Sequence, residues 1–133
     1  MLRSSFHRLF ALTFLAVFSG VAPARADIQE YEFRLVQDTV KQGEEAIVAV
    51  NVIHKPTGKK VPEAVIFASR IDMAPDGMPM MTADLATVPA SEPGLYRFKT
   101  TLAMEGNWQL SLAAKVQGET GTLQNRLVLK AAN

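Results

Sequence analysis

The chain has 133 residues with no cysteine and two histidines, and its 14 basic residues nearly balance 13 acidic ones. The absence of cysteine excludes disulfide staples and removes thiolate as metal ligand or nucleophile. The even charge leaves no basic surplus of the kind that binds nucleic acid or an anionic membrane surface.

Residues 1–26 read as a secretory signal. Arg3 and Arg8 form a positive start, and Leu9 to Val21 is an uncharged, mostly apolar run of 13 residues. Ala24-Arg25-Ala26 then supplies the small-x-small pattern of a cleavage site. The apolar run falls short of the roughly 20 residues that a membrane-spanning helix needs, although an uncleaved anchor is the alternative. No cysteine is present to carry a lipid anchor. Cleavage after Ala26 is therefore expected to release a periplasmic chain, taken to be monomeric. Removing 26 of the 133 residues leaves 107, enough for one domain with a real core. Arg3, Arg8 and Arg25 leave with the signal, so 11 basic residues face 13 acidic ones, a net of about −2.

The remainder reads as strands and turns. Tyr31, Phe33 and Leu35 alternate with Glu32, Arg34 and Val36, the period-2 pattern of a strand. Gln42-Gly43 turns the chain into Ala46–Ile53, apolar on both faces and so expected in a sheet interior. Lys55-Pro56-Thr57-Gly58 is a turn, and Ala64–Ile71 is the next strand. A short strand is possible near Ala83–Val88. Pro93-Gly94 resets the chain into Leu95–Leu102, with Tyr96, Phe98, Thr100 and Leu102 on one face. Gly106 opens the clearest strand, placing Trp108, Leu110, Leu112, Ala114 and Val116 inward. In the last strand Leu123, Leu127 and Leu129 face inward and only Asn125 breaks that face. About seven strands with regular turn signals predict an all-β, immunoglobulin-like two-sheet sandwich, with a closed barrel as the alternative.

The most informative stretch is Met73 to Met81, where four of nine residues are methionine. Thioether sulfur is a soft, neutral donor that selects copper(I) or silver(I) over hard ions. Pro75-Asp76-Gly77 forms a tight turn able to fold Met73 back toward Met78, Met80 and Met81. Pro79 restricts Met78 to an extended backbone. Met104 is a further donor or a packing residue, and Trp108 either fills the core or covers a bound ion through its ring face. The methionines have two other readings: an adaptable surface for a protein partner, or plain packing at one end of the sandwich.

Other residues say less. His54 stands at a turn beside Lys55, Lys59 and Lys60, where solvation is the simpler reading than ligation. Asp72, Asp76 and Asp84 bracket the methionines but match no calcium loop, Asp76 has a turn role, and Arg70 is a ready partner for one of them. Ser69, Ser91 and Ser111 have no histidine partner and no phosphate-cradling glycine motif is present, which argues against an enzyme.

The run from Gly43 through Gly58 and Lys59 to Val61-Pro62-Glu63-Ala64 resembles the Gly-Lys-x-Val-x-x-Ala entry of bacterial YtkA-like and FixH-like domains. The methionine-rich stretch, Pro93-Gly94-Leu95-Tyr96-Arg97-Phe98 and Met104-Glu105-Gly106-Asn107-Trp108-Gln109-Leu110 follow the same layout over residues 40–130. The resemblance implies a single such domain over residues 27–133. It also implies a theme of envelope copper and silver handling, in association with heavy-metal efflux systems of the resistance-nodulation-division type. Two functions follow as expectations. In one, Met73, Met78, Met80, Met81 and Met104 bind copper(I) or silver(I) and pass it to an efflux complex. In the other, a metal-free module docks its methionine loop on a membrane or efflux partner.

Overall fold

The computed structural model describes residues 27–133 together with Ala16 and Gly20. Apart from those two residues, the expected signal segment, with its cleavage site, lies outside the described residues. Among the described residues no helix is long and apolar enough to cross a membrane.

Among the described residues ten strands form in chain order: β1 (Tyr31–Leu35), β2 (Thr39–Lys41), β3 (Gly43–His54), β4 (Lys59–Lys60), β5 (Ala64–Met73), β6 (Met78–Ala83), β7 (Leu85–Val88), β8 (Leu95–Leu102), β9 (Gly106–Val116) and β10 (Leu123–Ala132). One sheet has the order β1-β3-β8-β7, with β4 added to β3, and the other has the order β2-β10-β9-β5-β6. In immunoglobulin notation, β1, β3, β8 and β7 are strands A, B, E and D, and β10, β9 and β5 are G, F and C. Strand β6 extends the second sheet beyond C, and β2 pairs in parallel with β10. Two separate sheets thus form in place of a closed barrel. Of the three strands beyond the expected seven, β2 and β4 are short, and β6 occupies the methionine-rich stretch expected as a loop; the short strand expected near Ala83–Val88 is β7.

Alternation explains the core. Along β3, Ala46, Val48, Val50 and Val52 are buried while Ile47, Ala49 and Asn51 on the other face are half-buried, and the strand takes the central place expected of it, between β1 and β8. Along β9, Trp108, Leu110, Leu112, Ala114 and Val116 all face inward and meet Phe33, Phe98, Leu102 and Leu129 in one cluster. Hydrophobic burial carries this domain without any disulfide.

Asn125 interrupts the inward face of β10 for a reason visible only in three dimensions. Strand β1 lies at the edge of its sheet, so one side of its backbone has no neighbour there. The Phe33 N–H donates instead to Asn125 Oδ1 at 2.8 Å, tying the two sheets together. Asn125→Leu would complete the apolar face yet strand that donor. It should lower unfolding stability in urea by about 1–3 kcal/mol, and an unchanged midpoint would show that the bond contributes nothing.

Candidate functional site

The methionine-rich stretch is not an open loop. Met73 ends β5, Ala74–Asp76 make a 3-10 turn, Gly77 takes a left-handed conformation, and Met78 begins β6. The turn does fold the chain back, since Met73 and Met78 are Cα partners across the hairpin. The next pair is Asp72 with Thr82, so one step along β5 corresponds to four along β6. Pro79, Met80 and Met81 are consequently expelled as a bulge.

Parity is the cause. Met78 and Ala83 both pack against the core, and they stand five residues apart. A strand places residues an odd number apart on opposite faces, so the chain between them must leave the ladder. Proline has no N–H to contribute there and is suited to a bulge on an edge strand. Arg70 Nη2 donates to the Pro79 carbonyl at 2.9 Å, and its Nε donates to Asp72 Oδ2 at 2.9 Å. Asp72 is buried, and its other oxygen accepts the Ala74 N–H at 2.9 Å. The expected pairing of Arg70 with an aspartate is therefore formed, and it braces the bulge.

The five methionines fall into two groups. Met73 is fully buried, at 0% exposure, and Met78 and Met104 are half-buried and packed on the core. Met80 is 88% exposed and Met81 is 37% exposed. The fold brings Met73 beside Met78 but does not bring Met80 to Met73, because one is in solvent and the other in the core. Trp108 is wholly buried, and its Nε1–H donates to the Met104 carbonyl at 3.1 Å, so its place is the core.

A close approach holds the turn. A Cβ built on Gly106 (φ +136) would overlap Asp76 Oδ2 and lie 2.7 Å from Met73 Cε. The β9 backbone can reach the turn only because this residue lacks a side chain. There Asp76 Oδ2 accepts the Asn107 N–H at 2.7 Å and Oδ1 accepts Asn107 Nδ2–H at 3.0 Å. Asp76 is thus more than a turn residue. Its spacing gave no hint of Asn107, which is distant in sequence.

The remaining polar candidates hold structure. His54 lies between Glu30 Oε2 at 3.2 Å and Thr57 Oγ1 at 2.8 Å, with the Tyr31 ring 5.0 Å away. Lys59 is its backbone partner across β3 and β4, but the ring bonds Glu30 and Thr57 and none of the neighbouring lysines. Among the described residues no group of three or more His, Cys, Asp or Glu side chains is placed to hold a metal ion.

Strand order and site together define an immunoglobulin-like sandwich with a bulged, methionine-bearing edge strand. A model of the YtkA-like family matches residues 25–113, and the chain belongs to that family. No curated protein matches the chain. Among solved structures, it is similar to the Lin-41 filamin domain, with 15% identity and a TM-score of 0.45, over 75% of this chain and 91% of that one. It is also similar to the ZirS C-terminal domain, with 11% identity and a TM-score of 0.44, over 100% of this chain and 87% of that one.

The hydrogen bonds from Asn107, backbone first and then side chain, hold the Asp76 carboxyl below its ordinary value of 3.8. A depressed folded-state value gives stability that is fully present above the unfolded value and is lost as pH falls through the folded one. Asp76→Ala should therefore lower the melting temperature at neutral pH. The gap from the parent should close as pH drops below about 4. A gap of constant size across that window would show that the carboxylate's charge is not what holds the turn.

Proposed function

We propose that this chain is a periplasmic accessory protein of envelope copper and silver handling. It offers Met80 and Met81, together with the half-buried Met78 that begins the same strand, to a soft monovalent ion. The observation that carries this reading is the exposure of Met80, 88% open on a bulge that the fold itself creates. A methionine buried in a core needs no functional explanation. A methionine standing in solvent contributes almost nothing to burial, and a polar residue there would cost the fold nothing. Thioether sulfur keeps its lone pairs at any pH and favours copper(I) or silver(I). Two or three such donors at an open edge make a labile site, which suits an ion that is handed on to an efflux complex. The theme of heavy-metal efflux is what the sequence's resemblance implies; the family match itself gives membership of the YtkA-like family alone. In this reading Met73 and Met104 are packing residues, and no catalysis is assigned.

A second reading draws on Val65 and Phe67, which are exposed on β5, the strand that carries the bulge's hairpin. These apolar side chains with Met80 and Met81 would serve a metal-free module that docks on a membrane or efflux partner.

Anaerobic titration with copper(I) against a chromogenic chelator separates the two. The parent should compete for one ion, and the Met78→Leu, Met80→Leu, Met81→Leu variant should not, since leucine keeps apolar volume and removes sulfur. Met73→Leu and Met104→Leu should each compete like the parent. Failure of the parent to compete would contradict the metal reading and leave the docking module.

A further inference from the structure

The outer face of the β2-β10-β9-β5-β6 sheet carries a cleft of about 810 Å3. The strand registers arrange its side chains in rows. Arg126 of β10, Ser111 of β9 and Arg70 of β5 are successive partners across three strands. The adjoining row is Gln124, Ala113 and Ala68. Small side chains thus form the floor and long polar ones the walls. Ala113 points outward from the core, yet it is only 8% exposed, so the walls enclose it.

We propose that this cleft binds a small organic polycarboxylate, held between Arg126 and Arg70 above the Ser111 hydroxyl. Two strand spacings, about 10 Å, separate the backbones of the two arginines; Arg70 leans toward Pro79 of β6, so Arg126 supplies the reach across the floor. A guanidinium presents parallel N–H donors that match a carboxylate. Arg70 is held in place, because Nε is tied to Asp72 and Nη2 to the Pro79 carbonyl of β6, while Nη1 makes no hydrogen bond within the described residues. Arg126 forms no ion pair among the described residues. Gln109 and Gln124 add amide donors at the margins.

The charge balance selects the ligand class. Asp72 offsets Arg70, so the cleft carries about one net positive charge, from Arg126. Nucleic-acid and polyphosphate binding draws on many phosphate contacts made by several cations, which this face does not supply. The cleft's volume lies in the range of small-ligand sites. The site is separate from the proposed methionine site, although Arg70 and Pro79 border both.

The test is an amide-shift NMR titration of the protein with citrate, run beside sulfate at equal ionic strength and an acidic peptide. Citrate should move the amides of Arg70, Ser111, Ala113 and Arg126 saturably. Arg126→Gln, at an exposed position, should weaken binding by about tenfold, the loss of one charge-assisted bond. Ala113→Leu, which fills the floor and leaves both arginines, should weaken it as well, whereas Lys130→Gln should not. Equal shifts with sulfate, undiminished citrate binding by Arg126→Gln, or saturation by the acidic peptide but not by citrate would each overturn the proposal.

Discussion

The arrangement around the methionines depends on one close contact, the approach of Gly106 to Met73 and Asp76. It lets β9 start directly against the turn that ends β5, and it delivers the Asn107 N–H to Asp76. With the turn pinned, Met78 must face inward beside Met73. Ala83 must also face inward beside Ile71, its partner on β5. Those two demands conflict with the two-residue repeat of a strand. The bulge resolves the conflict, and Met80 and Met81 are exposed as its consequence.

The same bulge manages a sheet edge. Edge strands expose unpaired backbone groups that invite aggregation, and short length, proline and bulges all blunt them. Strand β6 uses all three before the chain crosses at Asp84 to pair as β7 with β8 in the opposite sheet. Edge protection accounts for Pro79 and for the bulge. It does not account for methionine at position 80, 88% exposed, because any soluble side chain would protect the edge equally well there, whereas Met81, 37% exposed, also packs. The identity of Met80 is the part of the design that packing and edge control leave open.

Much of the fold was legible because alternation over long strands is a strong signal. Trp108 to Val116 and Ala46 to Ile53 face the core as their patterns require. The immunoglobulin-like order and the YtkA-like family follow the sequence reading. Strands β2 and β4 were not legible, since two or three residues hold no period. Strand β6 was hidden for another reason. Pro75, Gly77 and Pro79 are turn signals, and they masked a strand whose pairing is broken by the very bulge they allow. The methionine cluster was visible in the sequence, but its division into buried and exposed members was not, because parity across a hairpin depends on register. Asn125 read as a flaw until Phe33 was found opposite it. The Arg126–Ser111–Arg70 row joins residues far apart in the chain and exists only once the strands are aligned.

The account's central claim is that the methionines of β6 are the ligands, two of them freed by the bulge, and that Met73 and Met104 are packing residues. Methionine methyl NMR during titration with silver(I) tests it most directly, because each thioether methyl reports on its own sulfur. The account predicts saturable shifts at Met80, Met81 and Met78, with Met73 and Met104 unmoved. Movement of Met73 together with Met80 would contradict that division, and silence from all five would contradict the metal site itself.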